Sequence, residues 1–420
     1  MRIAFFTDNY HPQISGVVEQ VETSAKALRE LGHEVFIVAP KTPGYKSNEK
    51  DVFWIPSIKV NRNPEYRFIV PLPDTEMRKL LTQKFDVVHS HGGVISFLAW
   101  EIARRKKIPY IYTYHTLLNR YTHYLFNGKI VTPKMAEIAS RVFCNLSDRV
   151  IAPTEAVKRE LVRYGVKKPI SVVAGGINLK KFAPAEKGFL RKKYGTAASK
   201  VILLYVGRVG KEKNIEFILR SYARLIKTVD STILFIVGDG TEKAILEKTA
   251  KNLSLGKNVI FTGFVDMGEV PKVYADGDIF LFSSQSETQG LVVAEAMSQG
   301  LPVVCVKDGA FEDVVVDGET GFATKKDTKE YSEAILRLVN DKKLREELGE
   351  NARALVRSEY SDQRQAEKLT EVYKQALKET LDKTEPGSLI RQRVLNLNLF
   401  IKMSERFNRF TQVMKLPKWY

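Results

Sequence analysis

The sequence predicts an α/β protein built from two doubly wound parallel sheets, Rossmann-like domains that face each other across a central cleft. Three observations carry that expectation. Short β-branched runs alternate with helix-like stretches along most of the chain. The alternation breaks once, at GGINLKKFAPAE (175–186), and then resumes. A chain of 420 residues at 44% apolar content is too long for one comfortable core and too apolar for disorder.

The first series opens with IAFF (3–6), an amphipathic segment from about Val17 to Leu31, Gly32 as a C′ residue, and EVFIVA (34–39), a βαβ start. It continues through DVVHS (86–90), a helical run over about 94–106, PYIYTY (109–114), RVIA (149–152) and a helix capped by Thr154 and closed by Gly165. The second series runs VILLYVGR (201–208), TILFIVGDG (232–240), NVIFTGF (258–264), DIFLFSS (278–284) and PVVCV (302–306). The expected domains are 1–180 and 181–385, with the final charged helices able to pack back on the first domain and the ligand cleft at the carboxyl ends of the strands. A distinct tail, 386–420, follows; over 387–420 it has seven basic residues and one acidic, interleaved with Leu, Ile, Phe and Met. It suits a basic amphipathic helix on an anionic membrane, where each nearby Lys or Arg contributes about 1 kcal/mol. It suits equally a helix packed on the protein.

Lys+Arg 66 against Asp+Glu 49 leaves a net charge of +17 and favours an anionic partner. The tail carries no RNA-recognition signature, so nucleic acid is not expected. Cys144 and Cys305 are far apart and in no CxxC pattern, which argues against a disulfide framework and fits a reducing cytosol. No apolar run approaches the roughly 18 residues of a membrane span, and the run at 3–6 is too short for a signal peptide. Any membrane contact is expected to be peripheral.

The sharpest chemical signal is SETQGLVVAEAMSQGLPVV, with Glu287 and Glu295 on either side of Gly290. A helix starting near Gly290 would point the amides of Gln289, Gly290 and Leu291 outward as an anion site, and Gly290 would let the backbone come close. The two carboxylates would then bracket the anion as hydroxyl acceptors, which is what a nucleotide sugar offers. In YVGRVGKEKN, Arg208 and Lys213 follow a strand and suit a diphosphate, Arg208 as a fork and Lys213 as a point charge. Gly16, after DNYHPQIS, makes another anion-ready helix start. GDG (238–240) and Asp276-Gly277-Asp278 read as turns. All six histidines lie in the first 123 residues, but without HExxH or Cys/His spacing, and no metal is expected.

Together the Gly16 loop, TYHT around His115, GRVGKEKN and SETQGLVVAEA followed by SQGLPVV resemble the retaining GT-B glycosyltransferases of family 4 over about residues 1–380. The resemblance implies the GT-B fold and a nucleotide-sugar donor, with Arg208 and Lys213 on the diphosphate, Glu295 on the ribose and Glu287 on the donor sugar. It further implies His115 beside the reacting sugar, the Gly16 loop over the diphosphate, and no cofactor or metal. Within the family, HTLLNRYTHYL (115–125) and FTDNYHPQISGVV look most like diacylglycerol α-glucosyltransferases, with Tyr121, His123 and Tyr124 fitting and Leu118-Asn119 standing where those enzymes tend to show Tyr-Glu. The expected partners are then UDP-glucose, a membrane lipid acceptor and an anionic membrane surface at the inner face of the cell membrane. Arg104, Arg105, Lys106 and Lys107 are candidates for that surface, or simply the end of a solvated helix. The alternatives are GDP-mannose with phosphatidylinositol, a soluble glycan as acceptor, or a nonenzymatic binding module. The oligomeric state is left open.

Overall fold

The structure is a computed structural model, and it describes residues 1–13, 15–59, 67–70, 74–120, 132–183, 185–284, 286–307 and 313–382. The first sheet is assembled from β1 (Arg2–Phe6), β2 (Glu34–Pro40), β3 (Val52–Ile55), then, after the small antiparallel pair β4 (Ser57–Lys59) and β5 (Arg67–Ile69), from β6 (Val87–Ser90), β7 (Tyr110–Thr113), β8 (Arg149–Ala152) and β9 (Ile170–Val172). Its helices are α1 (Gly16–Glu30), α2 (Thr75–Thr82), α3 (Ser96–Lys106), α4 (Pro133–Leu146) and α5 (Glu155–Arg163).

The second unit contains α6 (Phe189–Tyr194), β10 (Val201–Val206), α7 (Ile215–Leu225), β11 (Thr232–Val237), α8 (Lys243–Asn252), β12 (Val259–Gly263), α9 (Val270–Asp276), β13 (Ile279–Phe282), α10 (Leu291–Ser298), β14 (Val303–Val306), β15 (Gly321–Thr324), α11 (Thr328–Asn340) and α12 (Lys342–Glu359). Helix α13 (Asp362–Asp382) follows.

Both main sheets are parallel throughout, in the orders β3-β2-β1-β6-β7-β8-β9 and β12-β11-β10-β13-β14-β15. Strands covered on both faces have no polar side to present, which is why VILLYV and TILFIV read as continuous apolar runs. The strand order reverses between β1 and β6 and again between β10 and β13, and a crevice opens at such points beyond the carboxyl ends. The loops following these four strands carry Gly16, His91, Arg208, Lys213 and Glu287 of the site described below, and the loop after β7 adds His115.

Local sequence explains the joints. Ser15 caps α1 by accepting from the Val18 amide at 3.3 Å, and Gly32 leaves the helix at φ 82°. Thr154 caps α5 in the same way, 3.2 Å from the Val157 amide, with Gly165 at φ 85° beyond it. Asp276 closes α9 before the turn into β13, and its buried carboxylate takes the amides of Gly188 and, at 2.5 Å, Leu190, so it caps α6 as well.

The last helix crosses back. Ala366, Leu369, Val372, Tyr373 and Ala376 of α13 are buried against Ile3, Phe5, Val21 and Leu28, so a helix from the end of the chain completes the core of the first domain. The two crossings lie side by side: the Ile177 amide donates to the Tyr360 carbonyl at 2.7 Å, and the Asp362 amide donates back to Ile177 at 3.0 Å. A Cβ on Gly176 would come within 2.6 Å of Asp362 Cα, so only glycine fits between them. Leu369 is 2% exposed in that core. Leu369→Ala is expected to lower stability by about 2–5 kcal/mol in urea denaturation; an unchanged midpoint would show that α13 is not part of the first domain's core.

Candidate active site

Arg208 and Lys213 are presented by two glycine loops pressed together. A Cβ on Gly238 would sit 2.0 Å from the Gly207 carbonyl oxygen, and the Val209 amide donates to the Asp239 carbonyl at 2.9 Å. The Tyr205 hydroxyl holds the Arg208 carbonyl at 3.0 Å. The Arg208 guanidinium is 55% exposed and bonds Glu212, a carboxylate only 2% exposed, at 2.7 Å. Glu212 thereby aims the fork while leaving much of it open to the cleft.

Lys213 ends a short 3₁₀ turn (Lys211–Lys213), and its ammonium bonds the carboxylate of Glu287 and lies 5.9 Å over the Phe282 ring. The Ser284 hydroxyl is 2.9 Å from the same carboxylate oxygen. Burial works to raise the Glu287 carboxyl, but the charge and hydrogen bond of Lys213, helped by Ser284, outweigh it and hold the group below its ordinary value. The sequence reading gave Lys213 to the diphosphate and Glu287 to the sugar as separate tasks; the structure couples them as one buried pair. Truncating either removes the other's ion-pair partner.

Helix α10 starts at Leu291 behind Gly290, which adopts φ 72° and offers no side chain to cap the first amides. The start of α10 lies against the first domain: Leu291 Cδ1 is 4.0 Å from where a Cβ on Gly16 would stand, so the starts of α1 and α10 meet across the cleft. Glu295 lies one turn inside α10, 8% exposed, and accepts from the Tyr274 hydroxyl at 2.8 Å. It lines a small cleft with Glu19, Gln20, Ile177, Phe182 and Leu291. Burial, then the nearby Glu19 carboxylate, push Glu295 up to about 7, against the opposing pull of Tyr274 and Lys181.

The loop between Glu287 and α10 also reaches into the first domain. The Thr288 hydroxyl donates to the His115 carbonyl at 3.0 Å, and the Thr288 carbonyl accepts from Thr154 at 3.1 Å. The Gln289 side chain clamps the Gly175 backbone at both ends, accepting its amide at 2.6 Å and donating to its carbonyl at 3.0 Å. Sequence reasoning credited Gln289 with its amide and overlooked this clamp, along with Thr288, Tyr274 and Glu19. Their partners are remote in the chain, and no local spacing signals them.

His115 follows β7 with its Nε2 3.0 Å from His91 Nδ1, and burial lowers it to about 4, so it is neutral near pH 7. The basic run at the end of α3 is largely occupied. Arg104 and Arg105 pair with Glu101 at 2.9 and 2.6 Å, and Lys106 donates to the carbonyls of Leu81 and Gln83 at the end of α2, while Lys107 is the left-handed cap at φ 57°. Tyr121, His123, Tyr124 and the tail 386–420 lie outside the described residues.

Two parallel-sheet domains with phosphate-ready helix starts opposed across a cleft are the architecture of a GT-B glycosyltransferase. The comparisons with known proteins agree. Residues 14–181 match the model of Glycosyltransferase Family 4 and residues 186–355 that of Glycosyl transferases group 1. The chain is 33% identical over 324 residues to the alpha-monoglucosyldiacylglycerol synthase of Streptococcus pneumoniae, spanning 76% of this chain and 74% of that one. It is 31% identical over 336 residues to the synthase of the same name from Acholeplasma laidlawii, spanning 76% and 84%. The crystal structure of Anabaena HepE in complex with UDP superposes with a TM-score of 0.71 at 18% identity, covering 89% of this chain and 100% of that one. The chain belongs to glycosyltransferase family 4 and is a glycosyltransferase.

Two outcomes follow from the geometry. Gln289→Ala orphans both polar groups of the Gly175 backbone and should cost about 1–3 kcal/mol, with a larger radius of gyration in small-angle scattering as the domains part; wild-type stability and dimensions would remove the clamp from the account. Glu295 binds its proton more tightly when folded, so the unfolded chain releases that proton first as pH rises. Its contribution to stability is therefore fully present below about pH 4.5 and declines up to about pH 7. Glu295→Gln should abolish that part of the decline in denaturation curves taken from pH 4.5 to 8; parallel curves for the two proteins would contradict the assignment.

Proposed function

We propose that this chain transfers a hexose, with retention of the α configuration, from UDP-glucose to a membrane lipid such as 1,2-diacylglycerol, forming an α-glycolipid. The observation that carries the reading is the identity of 33% and 31% to two alpha-monoglucosyldiacylglycerol synthases over three quarters of the chain. The donor lies with its diphosphate between the starts of α1 and α10, with Arg208 and Lys213 supplying the positive charge as the phosphate leaves. The reading needs no metal or other cofactor. Glu287, oriented by Lys213 and Ser284, accepts hydroxyl hydrogens of the transferred sugar, and Glu295 those of the ribose. His115 lies beside the reacting sugar. The acceptor hydroxyl attacks the anomeric carbon on the face the phosphate departs from, the C1–O bond to phosphate breaks, and the departing phosphate oxygen takes the hydroxyl proton. UDP and the glycolipid are the products. Contacts through Thr288 and Gln289 keep the cleft closed, which excludes water from that exchange.

The lipid acceptor places the enzyme peripherally at the cytoplasmic membrane face. The net charge of +17 supports attraction to anionic lipid, and among the described residues no helix is long and apolar enough to cross a membrane.

Nucleotide release from UDP-glucose, UDP-galactose and GDP-mannose, each with diacylglycerol liposomes with or without anionic lipid and a lipid-free control, tests the reading. UDP-glucose turnover that depends on the lipid and rises with anionic lipid is the expected result; turnover indifferent to lipid would move the acceptor to a soluble glycan. Glu287→Ala and Lys213→Ala should each lower kcat/KM by about a hundredfold or more with the fold preserved, and wild-type turnover in either would sink the site.

A further inference from the structure

His115, half-buried, ends a column of imidazoles on neighbouring strands whose other two members, His91 and His89, are buried. His91 Nδ1 lies 3.0 Å from His115 Nε2, with the two rings inclined by only 25°. Behind His91 stands His89, its ring centroid 4.1 Å away. His89 is tied at both nitrogens, Nδ1 at 2.7 Å to the Tyr373 hydroxyl of α13 and Nε2 at 2.6 Å to the Thr113 hydroxyl. The far end of the column is therefore fixed by the helix that completes the first domain. His91 itself is 5% exposed, and no described residue offers its Nε2 a hydrogen-bond partner.

These contacts decide where the protons lie. Burial lowers His89 to about 3 and His115 to about 4, and with its neighbours lowers His91 well below the ordinary value, so all three rings are neutral. A neutral imidazole has one N–H, and only one proton can lie between His91 Nδ1 and His115 Nε2. Were His115 the donor, His91 would keep its proton on Nε2, an orphaned buried N–H of the kind folded proteins almost never leave. With His91 as the donor, its Nε2 is a bare lone pair and no N–H is stranded. The His115 proton must then be on Nδ1.

We propose that His91 is a positioning residue that donates Nδ1–H to His115 Nε2, locking His115 as the Nδ1–H tautomer whose one free ring group is a hydrogen-bond donor for a sugar or phosphate oxygen of the nucleotide-sugar substrate. The inference rests on the reading that His115 lies beside the reacting sugar, and deepens it. A ring held this way has no lone pair left for the acceptor's proton, which is the role already given to the departing phosphate. It also cannot turn over to present its other nitrogen without breaking the bond to His91.

Nitrogen-15 NMR of the full chain with labelled histidine at pH 7 reads the tautomer directly, the His115 signals being those lost in His115→Ala. Protonated Nδ1 and bare Nε2 are expected in the wild type; a dominant Nε2–H form would overturn the proposal. His91→Asn retains a side-chain N–H near the same place and should keep both the tautomer and most of kcat. His91→Phe should release His115 to a tautomer mixture and lower kcat about 10–100-fold with donor KM within about twofold. A His91→Phe protein whose His115 stays Nδ1–H would equally overturn it; should that variant not fold, the wild-type and His91→Asn spectra decide. Full activity in His115→Ala would remove His115 from the transfer reaction without altering the tautomer result, so the two failures are distinguishable.

Discussion

Everything in the cleft depends on how the chain passes twice between the two domains. Ile177 on the outward strand and Tyr360 to Asp362 on the return exchange backbone hydrogen bonds, and Gly175 and Gly176 leave no room for side chains between them. Two adjacent crossings bonded to each other act as a hinge with one easy axis, whereas a single flexible linker would let the domains swing freely. The hinge brings the carboxyl ends of two separate sheets to face each other, so a phosphate can be met by helix starts from both sides. Three side chains beside the hinge are amides that bring no charge into a buried joint: Gln289 bonds the Gly175 backbone, and Gln20 donates to Gln365.

The electrostatics of the cleft follow from the same closure. Buried carboxylates are costly unless paired; Glu212 has the Arg208 guanidinium, and the two glutamates around Gly290 meet that cost in different ways. Glu287 has an ammonium against it and is held ionised; Glu295 has a tyrosine hydroxyl and another carboxylate nearby and is drawn toward its neutral form. Two glutamates eight positions apart on one loop and helix thus carry different protonation tendencies because their surroundings differ. The imidazoles on the opposite wall are kept neutral by burial. On the side of Glu287 the positive charge comes from Arg208 and Lys213.

Much of this was legible in the sequence. The long buried strands were, because VILLYV or TILFIV can only be covered on both faces. Strands such as β15, GFAT, and β9, ISV, were not: they are short edge or near-edge pieces with too few apolar residues to signal a period. Glu287, Glu295, Arg208 and Lys213 could be picked out by their spacing after strands and around Gly290. Their couplings could not. The pairing of Lys213 with Glu287, the reach of Thr288 to His115 and the contact of Tyr373 with His89 each join residues far apart in the chain, and they exist only once the tertiary structure forms. Arg104 and Arg105 pair closer by, with Glu101 three and four residues back, while their side chains stay 50% and 63% exposed.

Helix α13 has a consequence for the newborn chain. The first domain is discontinuous, with residues 1–172 supplying its sheet and 362–382 its last covering helix, so the whole second domain is inserted in the middle of it. As the ribosome releases the chain from its amino end, the first sheet is made early but must wait, with the faces of Val21, Leu28 and Phe5 uncovered, until almost everything else has emerged. The second domain, made of one uninterrupted stretch, can finish before it. The part of the protein synthesised first is therefore the last to close, and its open apolar face during that interval is where a chaperone would have most to hold.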